Sequence, residues 1–352
     1  MKSLLESPPG RICVMRLSAL GDVCHALPVV RTLQARFPLA KITWIIGKIE
    51  HQLLGDIPEI DFVVFDKSLG LGAYKKLRAD LNGRQFDLLL HMQTSLRANV
   101  AAWMIPAKIK LGFDRARARE GHGWVINQTI QPGRPQHQVD DMFGFARALG
   151  IEQRRLEWNI PIPQAAQQFA VEQLPAGKKI LAINACSSPS KRVHRNWYAE
   201  GYAQAADFAV RELGMQVVLV GGPTEREKQT AKAILAASPV AHINLVGKTN
   251  LKQLCAVLQR ADLLLTSDSG PAHIANAVGT RVVCLHAATN PYQTGPYLDQ
   301  DRAVNKYPQA VQAEYGKPLA DLPWGVRAHG EDVMRLITVD EVQDALRRAL
   351  AE

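Results

Sequence analysis

Thr266-Ser267-Asp268-Ser269-Gly270-Pro271-Ala272-His273 follows the apolar run Leu263-Leu264-Leu265 and opens a helix-like stretch over 274–278. A buried strand that ends in small residues and turns at once into a helix is one unit of a parallel sheet, and its turn makes an anion site. N–H groups of the first helical turn point outward with the positive end of the helix dipole, and Ser269 and Gly270 let a phosphate approach closely. Asp268 adds a second demand, because a carboxylate accepts hydrogen bonds from sugar hydroxyls and repels phosphate oxygens. A nucleotide-sugar meets both. The plain alternative is that Asp268 or Ser269 only caps the helix, with Pro271 at home in its first turn.

Working outward, the strand-then-helix rhythm fills the chain. Strand-like runs at 12–17, 42–46, 62–65 and 86–91 alternate with helical stretches at 29–37, near 51–54, 74–81 and 96–104. The pattern restarts with a strand at 179–184. It continues through a helix at 197–213, strand 216–220, helix 225–237, strand 244–246, helix 251–260 and strands 263–266 and 281–285. This alternation predicts an α/β chain of two doubly wound Rossmann-like domains, with ligands at the carboxyl ends of the strands. Residues 150–177, which hold Pro161, Pro163 and Pro175, read as the connection between them. The expected domains are 1–163 and 164–330, followed by 331–352. In that last stretch the stripe Val339, Val342, Leu346 and Leu350 predicts a helix packing back across the domains.

A length of 352 residues and 47% hydrophobic content supply two cores, and a net charge of +9 implies attraction to nucleic acid, anionic lipid or phosphorylated small molecules. Nucleic acid is the least supported of these. The excess charge is dispersed, aromatics are only 6%, and neither a stacking pattern nor a zinc-finger spacing is present. The five cysteines are scattered without a CxxC pair, so they read as reduced residues in apolar surroundings. The first residues, with Lys2, Glu6 and Pro8-Pro9-Gly10, lack the apolar core of a signal peptide, and no run nears the roughly 18 apolar residues of a membrane span. A cytoplasmic protein with at most peripheral membrane contact is expected.

Several further stretches carry chemistry. Arg16-Leu17-Ser18-Ala19-Leu20-Gly21-Asp22-Val23-Cys24-His25-Ala26-Leu27-Pro28 is a second strand-to-helix turn. Asp22 in it is either a general base at a strand end or an aspartate capping its own helix, with His25 one turn on at i+3. Ser187-Ser188-Pro189-Ser190-Lys191-Arg192-Val193-His194-Arg195-Asn196-Trp197 gathers hydroxyls and cations at the next domain's first strand end, where Lys191 and Arg195 suit a diphosphate. Glu225, after Gly221-Gly222-Pro223-Thr224, is placed either to accept from a nucleoside or simply to begin a helix. Asp299-Gln300-Asp301 spells a metal-binding carboxylate pair, but it sits in a polar loop and is read as chance; no metal site is expected. Lys108, Lys110, Arg115, Arg117 and Arg119 follow the apolar-aromatic 101–106 and read either as an anionic-lipid contact or as a solvated basic loop.

Taken together, the segment 16–23 with His25 and Leu27-Pro28, Trp197 after the basic loop, and Asp268-Ser269-Gly270-Pro271 with His273 resemble the lipopolysaccharide heptosyltransferases, glycosyltransferase family 9. Gly316-Lys317-Pro318 and Leu322-Pro323-Trp324 are most similar to the heptosyltransferase I type. The resemblance implies a GT-B fold, its two domains facing across a cleft. It also implies ADP-L-glycero-D-manno-heptose as donor, inversion at the anomeric carbon, and a Kdo-lipid A acceptor at the cytoplasmic face of the inner membrane, with no cofactor. On the same resemblance Asp22 is the base. Donor contacts fall to Ser187, Ser188, Lys191, Arg195, Glu225, Asp268, Ser269, Gly270 and His273, and acceptor contacts to Ser18, Gly21, His25, Gln93, Arg97 and Arg119. This chain has Arg195 where the family commonly places lysine, so Arg195 and Lys191 both stand as the main phosphate contact. The alternatives are a heptosyltransferase II or III type with another inner-core acceptor, and a non-catalytic nucleotide-sugar-binding partner in polysaccharide assembly.

Overall fold

The computed structural model describes residues 4–187 and 194–351. The chain divides into two compact units, Met1–Pro161 and Ile162–Glu352, two residues ahead of the expected boundary.

The first unit runs β1 (Arg11–Met15), α1 (Leu20–Arg36), β2 (Lys41–Gly47), α2 (Lys48–Leu54), β3 (Ile60–Phe65), α3 (Gly72–Leu81), β4 (Phe86–His91), α4 (Leu96–Trp103), β5 (Ala107–Gly112), β6 (Gln128–Thr129) and α5 (Gln138–Ala148). Its strands are parallel in the order β3-β2-β1-β4-β5-β6. Helices cover both faces, so the central strands are apolar along their length rather than alternating, as in the burial of 12–15 and 88–91. Lys108 and Lys110, read as part of a basic cluster, lie on β5, where Lys108 reaches Asp87 at 2.9 Å and Lys110 donates to Ala102 O at 3.1 Å.

Helix α1 begins nine residues before the expected 29, with Pro28 inside it. Pro28 has no N–H for the carbonyl of Cys24, four residues back, and an interior proline ordinarily breaks a helix there. Here the indole of Trp158 donates to that carbonyl at 2.8 Å. The freed acceptor is thus satisfied, and burial of 23–30 holds the helix together.

The second unit runs α6 (Gln164–Gln173), β7 (Ile180–Asn184), α7 (Ala199–Arg211), β8 (Gln216–Leu219), α8 (Glu225–Ala237), β9 (Ile243–Asn244), α9 (Leu251–Arg260), β10 (Leu263–Ser267), α10 (Gly270–Ala277), β11 (Arg281–His286), α11 (Pro291–Thr294), β12 (Val304–Asn305), α12 (Tyr307–Tyr315) and α13 (Val339–Ala351). Its parallel sheet has the order β12-β11-β10-β7-β8-β9. The order turns back on itself between β10 and β7, so Asn184 and Thr266 are neighbours in register at one sheet end. That switch point is where such a sheet opens a crevice. Residues 150–177 hold α6, whose Ala166 and Ala170 are buried, so the expected plain connection is in part a packed helix. Helix α13, expected to pack back across the domains, packs on α7, β10, β11 and β12 of its own unit. All five cysteines are buried free thiols.

Candidate functional site

At the end of β10, the polypeptide turns into α10 with Ser269 at the cap position, yet no side chain caps that helix. Ser269 Oγ instead meets Thr266 Oγ1 at 2.9 Å and donates to Asn184 Oδ1 at 3.2 Å. Asp268 is likewise engaged elsewhere, its Oδ2 accepting from Thr289 at 2.8 Å and Thr294 at 3.3 Å. The capping alternative therefore fails for both residues. No side chain accepts from the first turn of α10, as an anion site requires, although Pro271 has no N–H to offer there and Ala272 N already donates to Ser269 O at 3.2 Å.

Asp268 is buried, with 7% of its surface exposed. Burial pushes its carboxyl pKa up, but His286, Arg195 and His273 together with the Thr289 hydroxyl more than offset this, and it lies below the usual range. Arg195 Nη1 stands 3.6 Å from Asp268 Oδ2. Thr289 has one proton and spends it on Asp268, so its 3.2 Å contact with His286 Nδ1 requires the proton on that nitrogen. Burial lowers the His286 pKa, and the Asp268 carboxylate opposes that shift. The Asp268 carboxylate is thus ionised and fixed, with a guanidinium beside it.

The remaining donor expectations fall unevenly. Ser187 is buried and gives both its N–H and its hydroxyl to Asn196 Oδ1, each at 2.8 Å, which ties the two ends of the basic loop together. Ser188 and Lys191 lie outside the described residues. His273 is buried on α10, and Gly270 begins that helix. Glu225 is exposed and paired with Lys228 at 2.9 Å; Glu227 holds the glycine turn instead, accepting from Gly222 N at 2.6 Å. Trp197, part of the resemblance, is a core residue whose indole donates to Ile337 O at 3.0 Å. Asp299 is buried and bound by Asn276 at 2.8 Å and Arg302 at 2.7 Å, while Asp301 is exposed. Among the described residues no three His, Cys, Asp or Glu group as metal ligands.

In the first unit, Asp22 is the third residue into α1. Its Oδ2 accepts from Ala19 N at 2.9 Å and pairs with Arg16 Nη2 at 2.7 Å. It therefore does cap its helix, from inside rather than from the cap position, with 27% of its side chain open. Gln93, just past β4, accepts from Leu17 N at 2.8 Å and donates to Ser18 Oγ at 3.4 Å and Ser95 Oγ at 3.2 Å. Ser18, Gln93 and the Gly21-Asp22 turn are so brought to one place at the strand ends. His25 points into the core and meets the His137 ring edge-on at 5.4 Å between centroids. Arg97 and Arg119 are exposed, the latter donating to the carbonyls of Ala116 and Ala118.

Sequence reasoning gave no role to Arg16, Glu50, His286, Thr289 or Thr294. Glu50 is buried near the Asp22 turn; burial raises its pKa, with Asp22 adding to the rise and Lys67 and Arg16 opposing it. Thr289 follows the carboxyl end of β11 by three residues, so the strand-end rule applied to that strand points to it.

Two doubly wound units, one bearing an open helix N-terminus beside a fixed carboxylate, are those of a GT-B glycosyltransferase. Residues 74–321 match the family model for glycosyltransferase family 9 (heptosyltransferase). The lipopolysaccharide core heptosyltransferase OpsX of Haemophilus influenzae is 38% identical over 98% of each chain. The solved family 9 glycosyltransferase from Veillonella parvula superposes with a TM-score of 0.79 at 23% identity, covering 97% of each chain. The structure of E. coli heptosyltransferase WaaC with ADP gives 0.70 at 19%, covering 96% of this chain and 99% of that one. The chain belongs to glycosyltransferase family 9, the heptosyltransferases, and is a glycosyltransferase.

Proposed function

We propose that the chain is an inverting heptosyltransferase of the first type, which moves L-glycero-D-manno-heptose from ADP-heptose to the Kdo of the lipopolysaccharide inner core. The observation that carries the donor half is the fixed, ionised Asp268 beside the uncapped start of α10 and within 3.6 Å of Arg195. Amides and guanidinium suit the diphosphate, and the carboxylate suits sugar hydroxyls. Asp22 is the base: its cap and ion-pair contacts both use Oδ2, and among the described residues Oδ1 takes no hydrogen bond. An acceptor hydroxyl gives its proton to Oδ1 as its oxygen attacks the anomeric carbon. The bond to ADP breaks on the opposite face, and the developing phosphate charge falls on Arg195, Lys191 and the α10 amides. Ser18, Gln93, Arg97 and Arg119 are the acceptor contacts. The 38% identity with a core heptosyltransferase over 98% of both chains supports the inner-core step.

A lipid-linked acceptor puts the work at the cytoplasmic face of the inner membrane, by peripheral contact. No helix among the described residues is long and apolar enough to cross a membrane. The test is incubation of the purified chain with ADP-heptose and a Kdo-terminated acceptor, the product read by mass spectrometry. Addition of one heptose is expected. Transfer only to an acceptor that already bears heptose moves the chain to the second or third type, and binding without transfer makes it a non-catalytic partner.

A further inference from the structure

Helices α3 and α4 lie on the same face of the first sheet. Ala73, Leu77 and Leu81 of one and Ala98, Ala101 and Ala102 of the other share a single core cluster with Met15 and Leu89. The Tyr74 hydroxyl donates across to the carbonyl of Arg97 at 3.4 Å. Their outer sides therefore form one surface.

On α4 that surface carries Leu96, Val100 and Trp103 at i, i+4 and i+7, exposed to 60%, 40% and 72%. A second tryptophan, Trp124, is 92% exposed on the turn that follows Glu120, whose carbonyl Asn99 of α4 holds at 2.8 Å. Leu71, immediately before α3, is 82% exposed. Apolar side chains scattered singly on a surface need no explanation, but a helix that aims a spaced apolar stripe outward does.

Charge narrows the occupant. Residues 67–124 hold eleven Lys and Arg against four Asp and Glu, so this stretch carries +7 of the chain's +9. Lys75, Lys76 and Arg78 are exposed on α3 and Arg97 on α4. The apolar residues are open to solvent on the same two helices, and the turns beside them, that carry these exposed cations. Exposed tryptophans amid cations match the headgroup layer of an anionic bilayer, where indole rings insert and each cation meets a phosphate. An acidic protein answers the charge but not the exposed apolar stripe beside it.

We infer that the outer face of α3 and α4, with Trp103 and Trp124 as its apolar anchors, seats the first unit on an anionic lipid surface. This deepens the peripheral-membrane reading above, and rests on it, by assigning the contact to named residues.

The test is co-sedimentation of the full chain with vesicles that contain no acceptor, of phosphatidylcholine alone or with phosphatidylglycerol added. Binding is expected only to the anionic vesicles and should weaken with salt. The double variant Trp103→Ser, Trp124→Ser and the charge variant Lys75→Glu, Arg78→Glu should each reduce it by roughly tenfold or more. Transfer to a deacylated, soluble Kdo acceptor should be unchanged in both, since neither pair touches the reacting groups. Wild-type chain that ignores anionic vesicles, or double variants that bind them as well as wild type, would overturn the assignment. Retention by an acidic protein in place of the vesicles would overturn it too. Absence of soluble-acceptor turnover in wild type counts against the proposed function and leaves the vesicle result standing.

Discussion

Arg16 Nη2 lies 2.7 Å from Asp22 Oδ2, and the other guanidinium nitrogen of Arg16 donates to the carbonyl of Met92. One arginine thus spans the ends of β1 and β4 and fixes the carboxylate that begins α1. The arrangement gives Asp22 two duties: one oxygen holds structure, and the other is open. A carboxylate shared in this way keeps its orientation while it accepts a proton.

Asp22→Asn separates the duties. Asparagine still offers an oxygen to Ala19 N–H, though it gives up the charge that pairs with Arg16. It cannot take a proton. The expected outcome is a fall in kcat of roughly 10²-fold or more, with ADP-heptose affinity nearly unchanged and Tm lowered only by the loss of the Arg16 ion pair. Near-normal turnover with a Kdo acceptor would leave Asp22 as a helix cap only.

The Arg195 prediction rests on its position 3.6 Å from Asp268. Removing the guanidinium takes away a diphosphate contact and one of the charges that hold Asp268 ionised. Arg195→Ala should weaken ADP binding by about tenfold or more in calorimetry, the scale of a charge-assisted hydrogen bond. Arg195→Lys should recover part of it, because a point charge replaces a planar fork. Unchanged ADP affinity in Arg195→Ala would shift the phosphate role to Lys191.

The reading of β10 into α10 carried over to the structure because strand, turn and helix there are adjacent in sequence, and buried apolar residues mark the strand. Capping was harder to read. Whether Ser269 caps α10 depends on Asn184, which β7 brings alongside 82 residues away in sequence from Thr266. The expected helix start at 29 came nine residues late for the same reason, since what keeps α1 intact across Pro28 comes from Trp158. Thr289 lay within reach of the strand-end rule, whereas His286 was missed because it meets Asp268's partner Thr289 rather than Asp268, a relation that leaves no spacing in the sequence. Glu225 was singled out by position alone; in the structure it pairs with Lys228, and Glu227, which position did not mark, holds the glycine turn.

Acid stability follows from a buried pair in the first unit. Asn99 Oδ1 accepts from His91 at 2.8 Å and His122 at 3.1 Å, and burial lowers His91 to about 3 and His122 to about 4. Both are neutral in the folded protein at pH 7. The unfolded chain protonates them near pH 6.5, so their contribution is fully present above that pH and is lost as pH falls toward these folded values. For His91 the loss between pH 6.5 and 5 is on the order of 2 kcal/mol. Urea unfolding at these two pH values should show it, above the range where most carboxylates titrate. His286 and His242 of the second unit, also lowered by burial, act in the same direction. A flat stability profile from pH 7 to 5 would contradict the pair's neutrality.

Turnover is expected to survive EDTA. The one carboxylate pair with metal-site spelling is divided by its surroundings: Arg302 and Asn276 occupy Asp299, and Asp301 points to solvent with 77% of its side chain exposed. Burial raises the Asp299 pKa despite Arg302, so a cation arriving there has to displace a guanidinium from a carboxyl with weakened hold on its charge. The proposed donor site meets the leaving diphosphate with Arg195, Lys191 and helix amides instead. Rates measured after chelation and dialysis should equal those with added magnesium. An activity abolished by EDTA and restored by magnesium would assign the leaving-group charge to a metal, and Asp299→Asn would then show whether that metal sits in this loop.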